Sequence, residues 1–304
     1  MNVLITGGAG YIGTELIERL AAEDGVSKIT IYDNLSRGNR NLFIGKDKLP
    51  NDKVQFVQGD LLDSRKLAKA LQNVNCVYHL AANVTTPFSD QNPHLFEQVN
   101  HWGTAELIYA LEESEVEQLV YVSSVSVYGT STVALDTSSH LNPRTFYGIS
   151  KMRAEEHVQR ISEKMQTYII RCGNVYGYNK SMRFDAVINR FLFEANFHAR
   201  ITINGTGEQH RPFVHIREVG EILANLRASN LKAGTYNLVN QNFAIGEVVK
   251  SLRLVYPKLE MLFVNQHMKM RELLVARSAE FDSFFETNST LEEELLEFKR
   301  HFSF

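Results

Sequence analysis

Apolar residues in the first half of this chain fall in short, nearly unbroken runs separated by longer stretches of helical period. Runs at 2–6, 28–32, 54–58, 76–80, 118–122 and 167–171 read as strands. Segments at 14–22, 64–71, 95–111 and 147–165 carry apolar positions three and four apart and read as helices. Asp63 or Ser64 caps the second of them. Strands that are apolar on both faces, alternating with helices, predict a parallel sheet covered on each side. The expected fold class is α/β, a doubly wound Rossmann-type sheet.

A polar segment at 34–52 reads as a long loop with a short helix near 40–43. After Gly173 the segments become shorter and more aromatic. They are helical at 184–196, 218–228 and 244–255, and extended at 200–203, 235–239 and 260–264. A last helix is expected from Thr290, with Ser289 and Glu292 as its capping box. The change of pattern predicts a dinucleotide-binding domain at residues 1–173 and a smaller C-terminal α/β substrate lobe at 174–304. Some segments of the lobe are expected to return to the first domain, and the cleft between the two is the expected ligand site.

The junction of first strand and first helix is Gly7, Gly8, Ala9, Gly10, Tyr11, Ile12, Gly13. Strand, glycine turn, helix is the context of a dinucleotide-phosphate site. Gly7 permits the tight turn, Gly10 lets a pyrophosphate approach the backbone, and Gly13 lets the helix lie close on the sheet. The helix N-terminus offers free N–H groups and partial positive charge. The spacing G-x-x-G-x-x-G also fits a tight turn with no ligand. Asp33 shifts the balance. It closes the second strand about 20 residues past the last glycine, where a carboxylate accepts from an adenosine ribose. Asp33 would repel a ribose 2′-phosphate and favours NAD, while nearby Arg37 argues the other way. Ala81 and Ala82 end the fourth strand, where small residues let something flat lie against the backbone, or simply allow close helix packing.

The totals narrow the classes further. The chain has 304 residues, 44% of them hydrophobic, enough for a substantial core. A formal net charge of −3 gives no support for a polyanion-binding surface, so nucleic acid is not an expected partner. Cys76 and Cys172 lie in apolar runs and read as buried thiols, too few for a four-thiolate zinc site. No metal is expected. With no leader-like segment and no bilayer-length apolar run, the expected location is the cytoplasm, away from membranes.

Tyr147 and Lys151 stand at i and i+4 on one helix face. With 12 tyrosines in the chain, such a pair arises by chance about once, so the motif alone carries little. Ser124, at the carboxyl end of a parallel strand, strengthens it. A tyrosine of pKa about 10 is a poor base at neutral pH, and lowering it by about 3 units requires about 4 kcal/mol. An ammonium about 4 Å away supplies roughly that at an effective dielectric of about 20, while burial opposes it.

On these residues the chain resembles the extended short-chain dehydrogenases/reductases that act on nucleotide sugars, of which UDP-glucose 4-epimerase is the best-known type. The marks run along almost the whole chain: the turn from Thr6 to Gly13; Asp33 with Asn34; Gly59, Asp60, Leu61; His79 to Ala82; Asn100 with Gly103; Ser123 and Ser124 through Gly129; Tyr147 with Lys151; Arg171 through Asn174 to Gly177; and Gly205 through Arg211 to His215. The resemblance implies that Tyr147 is the catalytic base, Lys151 its activator and a ribose ligand, and Ser124 a hydroxyl on the sugar oxygen. It implies NAD contacts at Gly7, Gly10, Tyr11, Ile12, Gly13, Asp33, Asn34, Asp60, Leu61, Ala81 and Ala82. Asn174, Arg211 and Arg271 would hold the diphosphate of a nucleotide sugar, chemistry that suits a guanidinium fork. Family members pair through the helices at 95–111 and 147–165, implying a homodimer. Departures at Pro212, Arg217–Glu218 and Tyr178 leave the sugar open. The 4,6-dehydratase branch carries Asp-Glu where this chain has Val125 and Ser126, which disfavours that branch. The leading expectation is an NAD-dependent nucleotide-sugar 4-epimerase. The alternatives are a nucleotide-sugar dehydrogenase or 4-keto-reductase and, from another class, a non-catalytic NAD-binding sensor or scaffold.

Overall fold

The apolar runs assemble into one parallel sheet in the structure, a computed structural model that describes residues 1–45, 48–84, 92–267, 270–285 and 289–304. β1 (Asn2–Thr6) leads through the glycine turn into α1 (Tyr11–Ala22) and β2 (Lys28–Asp33), followed by β3 (Val54–Gln58), α2 (Ser64–Ala70) and β4 (Cys76–His79). One helical stretch then runs through α3 (Pro93–Phe96), a π turn (Glu97–Trp102) and α4 (Gly103–Glu112). Next come β5 (Gln118–Ser124), β6 (Ser131–Leu135), α5 (Phe146–Ile161) and β7 (Gln166–Cys172). The rest of the chain forms β8 (Asn174–Tyr176), α6 (Val187–His198), β9 (Arg200–Asn204), β10 (His210–His215) and α7 (Ile216–Leu226). It ends in β11 (Gly234–Leu238), β12 (Gln241–Ala244), α8 (Ile245–Val255), β13 (Glu260–Val264), β14 (Leu273–Val275) and α9 (Leu291–Lys299).

The large sheet has the order β3-β2-β1-β4-β5-β7-β11, and every pair in it is parallel. Its chain order reverses at β1, which lies between β2 and β4, so the ligand crevice is expected outside the carboxyl ends of β1 and β4. Leu16, Ile17 and Leu20 of α1 pack with Val219, Ile222 and Leu223 of α7 on one face. Leu107, Ile108 and Leu111 of α4 pack with Val158 and Ile161 of α5 on the other. Cover on both faces is why the strands are apolar throughout. β11 comes from the C-terminal part of the chain yet pairs with β7, residue by residue from Gly234 opposite Tyr168 to Leu238 opposite Cys172. In the smaller lobe, α6, α8 and α9 share a core with Ile201, Ile203, Tyr176 and Phe213. Among the described residues no helix is long and apolar enough to cross a membrane.

Several local expectations change. The 95–111 helix contains the π turn and starts at Pro93. The helix from 218 starts two residues earlier, because His215 caps it and the Glu218 carboxylate accepts from the His215 backbone N–H at 3.1 Å. The capping box of α9 is Thr290 with Glu293, not Ser289 with Glu292. Thr290 N–H donates to Glu293 at 2.8 Å, while the Ser289 hydroxyl reaches Glu294 at 3.0 Å. The short β6–β14 and β8–β10–β12 pairings depend on contacts between distant segments. The expected 34–52 loop holds a 3₁₀ turn at Asn41–Phe43, and its residues 46–47 lie outside the described residues.

Candidate active site

A cavity of about 1160 Å³ opens at the carboxyl ends of β1 and β4 and continues between the sheet and the smaller lobe. It exceeds the usual volume of a single small-molecule site, about 300–1,000 Å³. Every residue that the sequence assigned to the site lines it: Gly7, Gly10, Tyr11, Ile12, Gly13, Asp33, Asn34, Asp60, Leu61, Ala81, Ala82, Ser124, Tyr147, Lys151, Asn174, Arg211 and Arg271.

The glycine turn shapes the first wall. Gly7 has φ +69°, and a Cβ there would come within 2.6 Å of the Ala81 backbone. A Cβ on Gly13 would meet the Gly8 backbone at 2.6 Å. α1 begins at Gly10 without a side-chain cap, and its first residues Tyr11, Ile12 and Gly13 line the cavity. Its N-terminal N–H groups are therefore a fitting seat for a diphosphate. The Tyr11 phenol donates to the Gly177 carbonyl.

Asp33 accepts from Ala9 N–H at 3.0 Å and from Leu35 N–H at 2.8 Å, one bond on each oxygen. Each oxygen keeps acceptor capacity for a ribose. Asn34 donates to Asp60 at 2.8 Å, and Tyr32 donates to the Asp60 carbonyl at 2.8 Å. This group fixes the far end of the cavity, beside Leu61. The residues present therefore fit a dinucleotide, with its diphosphate on α1 and a ribose at Asp33.

At the other end, Thr145 caps α5 and starts the helix that carries Tyr147 and Lys151. Burial raises the Tyr147 phenol above its ordinary 10, and Ser124 and Arg183 pull the other way. Lys151 is buried, donates to the Val122 carbonyl at 2.7 Å and lies 4.4 Å from the Tyr121 ring centroid. Burial lowers it to about 7, and Glu155 opposes that. Desolvation is the largest influence at both groups. His79 sits between Thr6 Oγ1 at 2.6 Å and Thr104 Oγ1 at 2.9 Å, and burial holds it neutral, at about 3.

On the lobe side, Arg211 donates to the carbonyls of His210 and Arg271. Burial and then the neighbouring Arg271 lower Arg211 to about 10. Two guanidinium groups thus share one wall of the cavity. Asn174 lines the same cavity and donates to the Pro212 carbonyl at 2.9 Å. Arg183 and its partner Asp185, bonded at 3.0 and 2.5 Å, were not singled out from the sequence. No local motif marks them, because only the fold brings the turn after β8 to the cavity.

Fold and site define a dinucleotide-dependent enzyme of the short-chain dehydrogenase/reductase class. Residues 3–238 match the model of the NAD dependent epimerase/dehydratase family. A dTDP-D-glucose 4,6-dehydratase of Bos taurus is 32% identical over 259 residues, 83% of this chain and 72% of that protein. A UDP-glucose 4-epimerase of Mycolicibacterium smegmatis is 31% identical over 258 residues, 83% of this chain and 79% of that protein. The fold is similar to that of the UDP-glucuronic acid 4-epimerase from Bacillus cereus, solved in complex with UDP-glucuronic acid and NAD. That likeness has a TM-score of 0.86 at 22% identity and covers 99% of this chain and 98% of that one. This chain belongs to the NAD-dependent epimerase/dehydratase family, and NAD is its cofactor.

Proposed function

We propose that the protein inverts C4 of a nucleotide-diphosphate sugar through a transient 4-keto intermediate. The observation that carries this reading is the composition of the cavity around Tyr147. Elimination of water needs an acid and a base beside the sugar, yet Val125 and Ser126 follow Ser124 and offer no carboxylate. Among the carboxylates that line the cavity, Asp185 is held by Arg183. What remains is a hydroxyl, a phenol and an ammonium, enough to move one proton on and off one hydroxyl.

Ser124 orients the 4-hydroxyl, and Tyr147 takes its proton and later returns it. Lys151 holds a ribose of the cofactor and favours the phenolate. Arg211, Arg271 and Asn174 grip the diphosphate, leaving the sugar itself free to turn over. Bound NAD supplies a hydride acceptor that becomes the donor. Residues 1–173 carry most of the cofactor site, and 174–304 most of the sugar-nucleotide site. The reading includes a homodimer paired through α4 and α5.

The test is incubation of purified protein with UDP-hexoses and no added cofactor. C4-inverted product is expected, and Tyr147→Phe should lower the rate at least about a thousandfold while still binding NAD. Net, stoichiometric NADH production would favour a dehydrogenase and net NADH consumption a 4-keto-reductase, and wild-type turnover by Tyr147→Phe would refute the assignment.

A further inference from the structure

The outer side of the catalytic helix carries a histidine pair that the chemistry in the cavity does not use. His101 in the π turn and His157 on α5 have their Nε2 atoms 3.0 Å apart, with ring centroids 5.1 Å apart. His101 Nδ1 lies 2.7 Å from Glu97 Oε1, which also accepts from Arg153 at 2.5 Å. Tyr109 of α4 meets His157 edge-on. The charged groups around the pair are Glu97 from the π turn, Glu112 from α4, and Arg153, Glu156 and Arg160 from α5. Among the described residues no third histidine, cysteine or carboxylate completes a metal-binding set.

Proton counting defines what the pair can do. A carboxylate only accepts, so His101 Nδ1 carries a proton toward Glu97. With both rings neutral, His101 Nε2 is a bare acceptor and His157 Nε2–H donates to it. One added proton is tolerated: it lies between the two Nε2 atoms, and His157 stays neutral with its own proton on Nδ1. A second added proton places an N–H on each Nε2. Two donors then face each other at 3.0 Å, and the contact must open.

The same π turn forms a wall of the cavity through Gln98 and Val99. Asn100 accepts from Asn83 N–H at 2.7 Å and donates to the Asn83 carbonyl at 2.9 Å and to Ser150 Oγ at 3.0 Å. Ser150 in turn donates to the Tyr147 carbonyl at 2.8 Å. The turn thus joins the strand end beside Ala82 to the helix that carries Tyr147. π turns are rare and often lie at functional sites.

We propose that Glu97, His101 and His157 are positioning residues, a clamp that holds the π turn against the catalytic helix and releases when the histidine pair takes up two protons. The proposal rests on the reading of Tyr147 and Lys151 as catalytic. Burial first, then His101 and Arg160, lower the His157 pKa against the opposing pull of Glu156 and Glu112. A depressed folded-state value favours the neutral form, so the clamp is closed above the ordinary histidine value of about 6.5 and lost as pH falls below it.

His157→Gln isolates the proton effect. A glutamine offers Oε1 to a charged His101 and Nε2–H to a neutral one, so it bridges in either state. The readout is hydrogen exchange of amides 97–102 in NAD-loaded protein, corrected for intrinsic rates. Emission of Trp102, the only tryptophan, whose ring is 4.7 Å from His101, reports where the pair titrates. Wild type should lose about tenfold or more of π-turn protection between about pH 7.5 and pH 5. His157→Gln should keep its protection, and His157→Leu should lack it at both pH values. Equal wild-type protection at both values, or a parallel loss in His157→Gln, would overturn the clamp. Neither readout needs turnover. Failure of the epimerase assay with intact clamp behaviour would overturn only the proposed reaction, and the converse only the clamp.

Discussion

Tyr147 is a weak base in the chain alone because burial favours its neutral form more than Ser124 and Arg183 favour the phenolate. On the proposed reading, a positive charge delivered with the cofactor would offset that desolvation and make proton abstraction conditional on a loaded site. Lys151 has the complementary problem. Its folded-state value near 7 lies below the unfolded 10.5. The unfolded chain therefore binds the extra proton between those values, and stability should rise with pH across that window. Lys151→Met should flatten the rise in cofactor-free protein, by at most about 3 kcal/mol between pH 7 and 9.5. Urea unfolding at the two pH values checks this. Asp33, Ser124, Tyr147 and Lys151 were legible in the sequence because each stands at a fixed offset on a recognisable strand or helix. Arg183 was not, since nothing near it in the chain says that it lines the cavity.

At the scale of elements, α5 is fixed to the sheet by a buried ion pair as well as by apolar packing. Arg171 of β7 donates to Glu155 of α5 at 2.7 Å, and both side chains are almost fully buried. Ser123 of β5 also donates to Glu155, and Tyr128 accepts from Arg171 at 2.9 Å. Removing one partner leaves the other charge buried and unpaired, a loss of about 3–5 kcal/mol. Glu155→Ala should lower unfolding stability by that amount, while Glu155→Ala combined with Arg171→Met should recover part of it. Denaturant titration of all three forms measures the difference. The helices and main strands were legible because their periods are set by burial on one or both faces. The π turn, the β6–β14 pairing and the true capping box of α9 were not, since each depends on side-chain hydrogen bonds or on segments distant in sequence.

At the scale of the whole molecule, the cavity lies where the chain order of the sheet reverses and the smaller lobe closes over it. The return of β11 to the large sheet ties the two parts of the chain together. On the outer face of α4 and the π turn, Tyr109 and Trp102 remain 46% and 53% exposed. Pairing through this face predicts a solution mass twice that of the chain, and a Trp102→Glu, Tyr109→Glu variant should run as a monomer in light scattering. A monomeric wild type would remove the homodimer from the account. The most direct test of the central claim is turnover of a UDP-hexose in deuterated water by the purified protein, followed by proton NMR. The expected product is a C4-inverted sugar with no deuterium on carbon, because the hydride leaves and returns within the site. A 4-keto-6-deoxy sugar carrying deuterium at C5 would contradict it and identify an elimination instead.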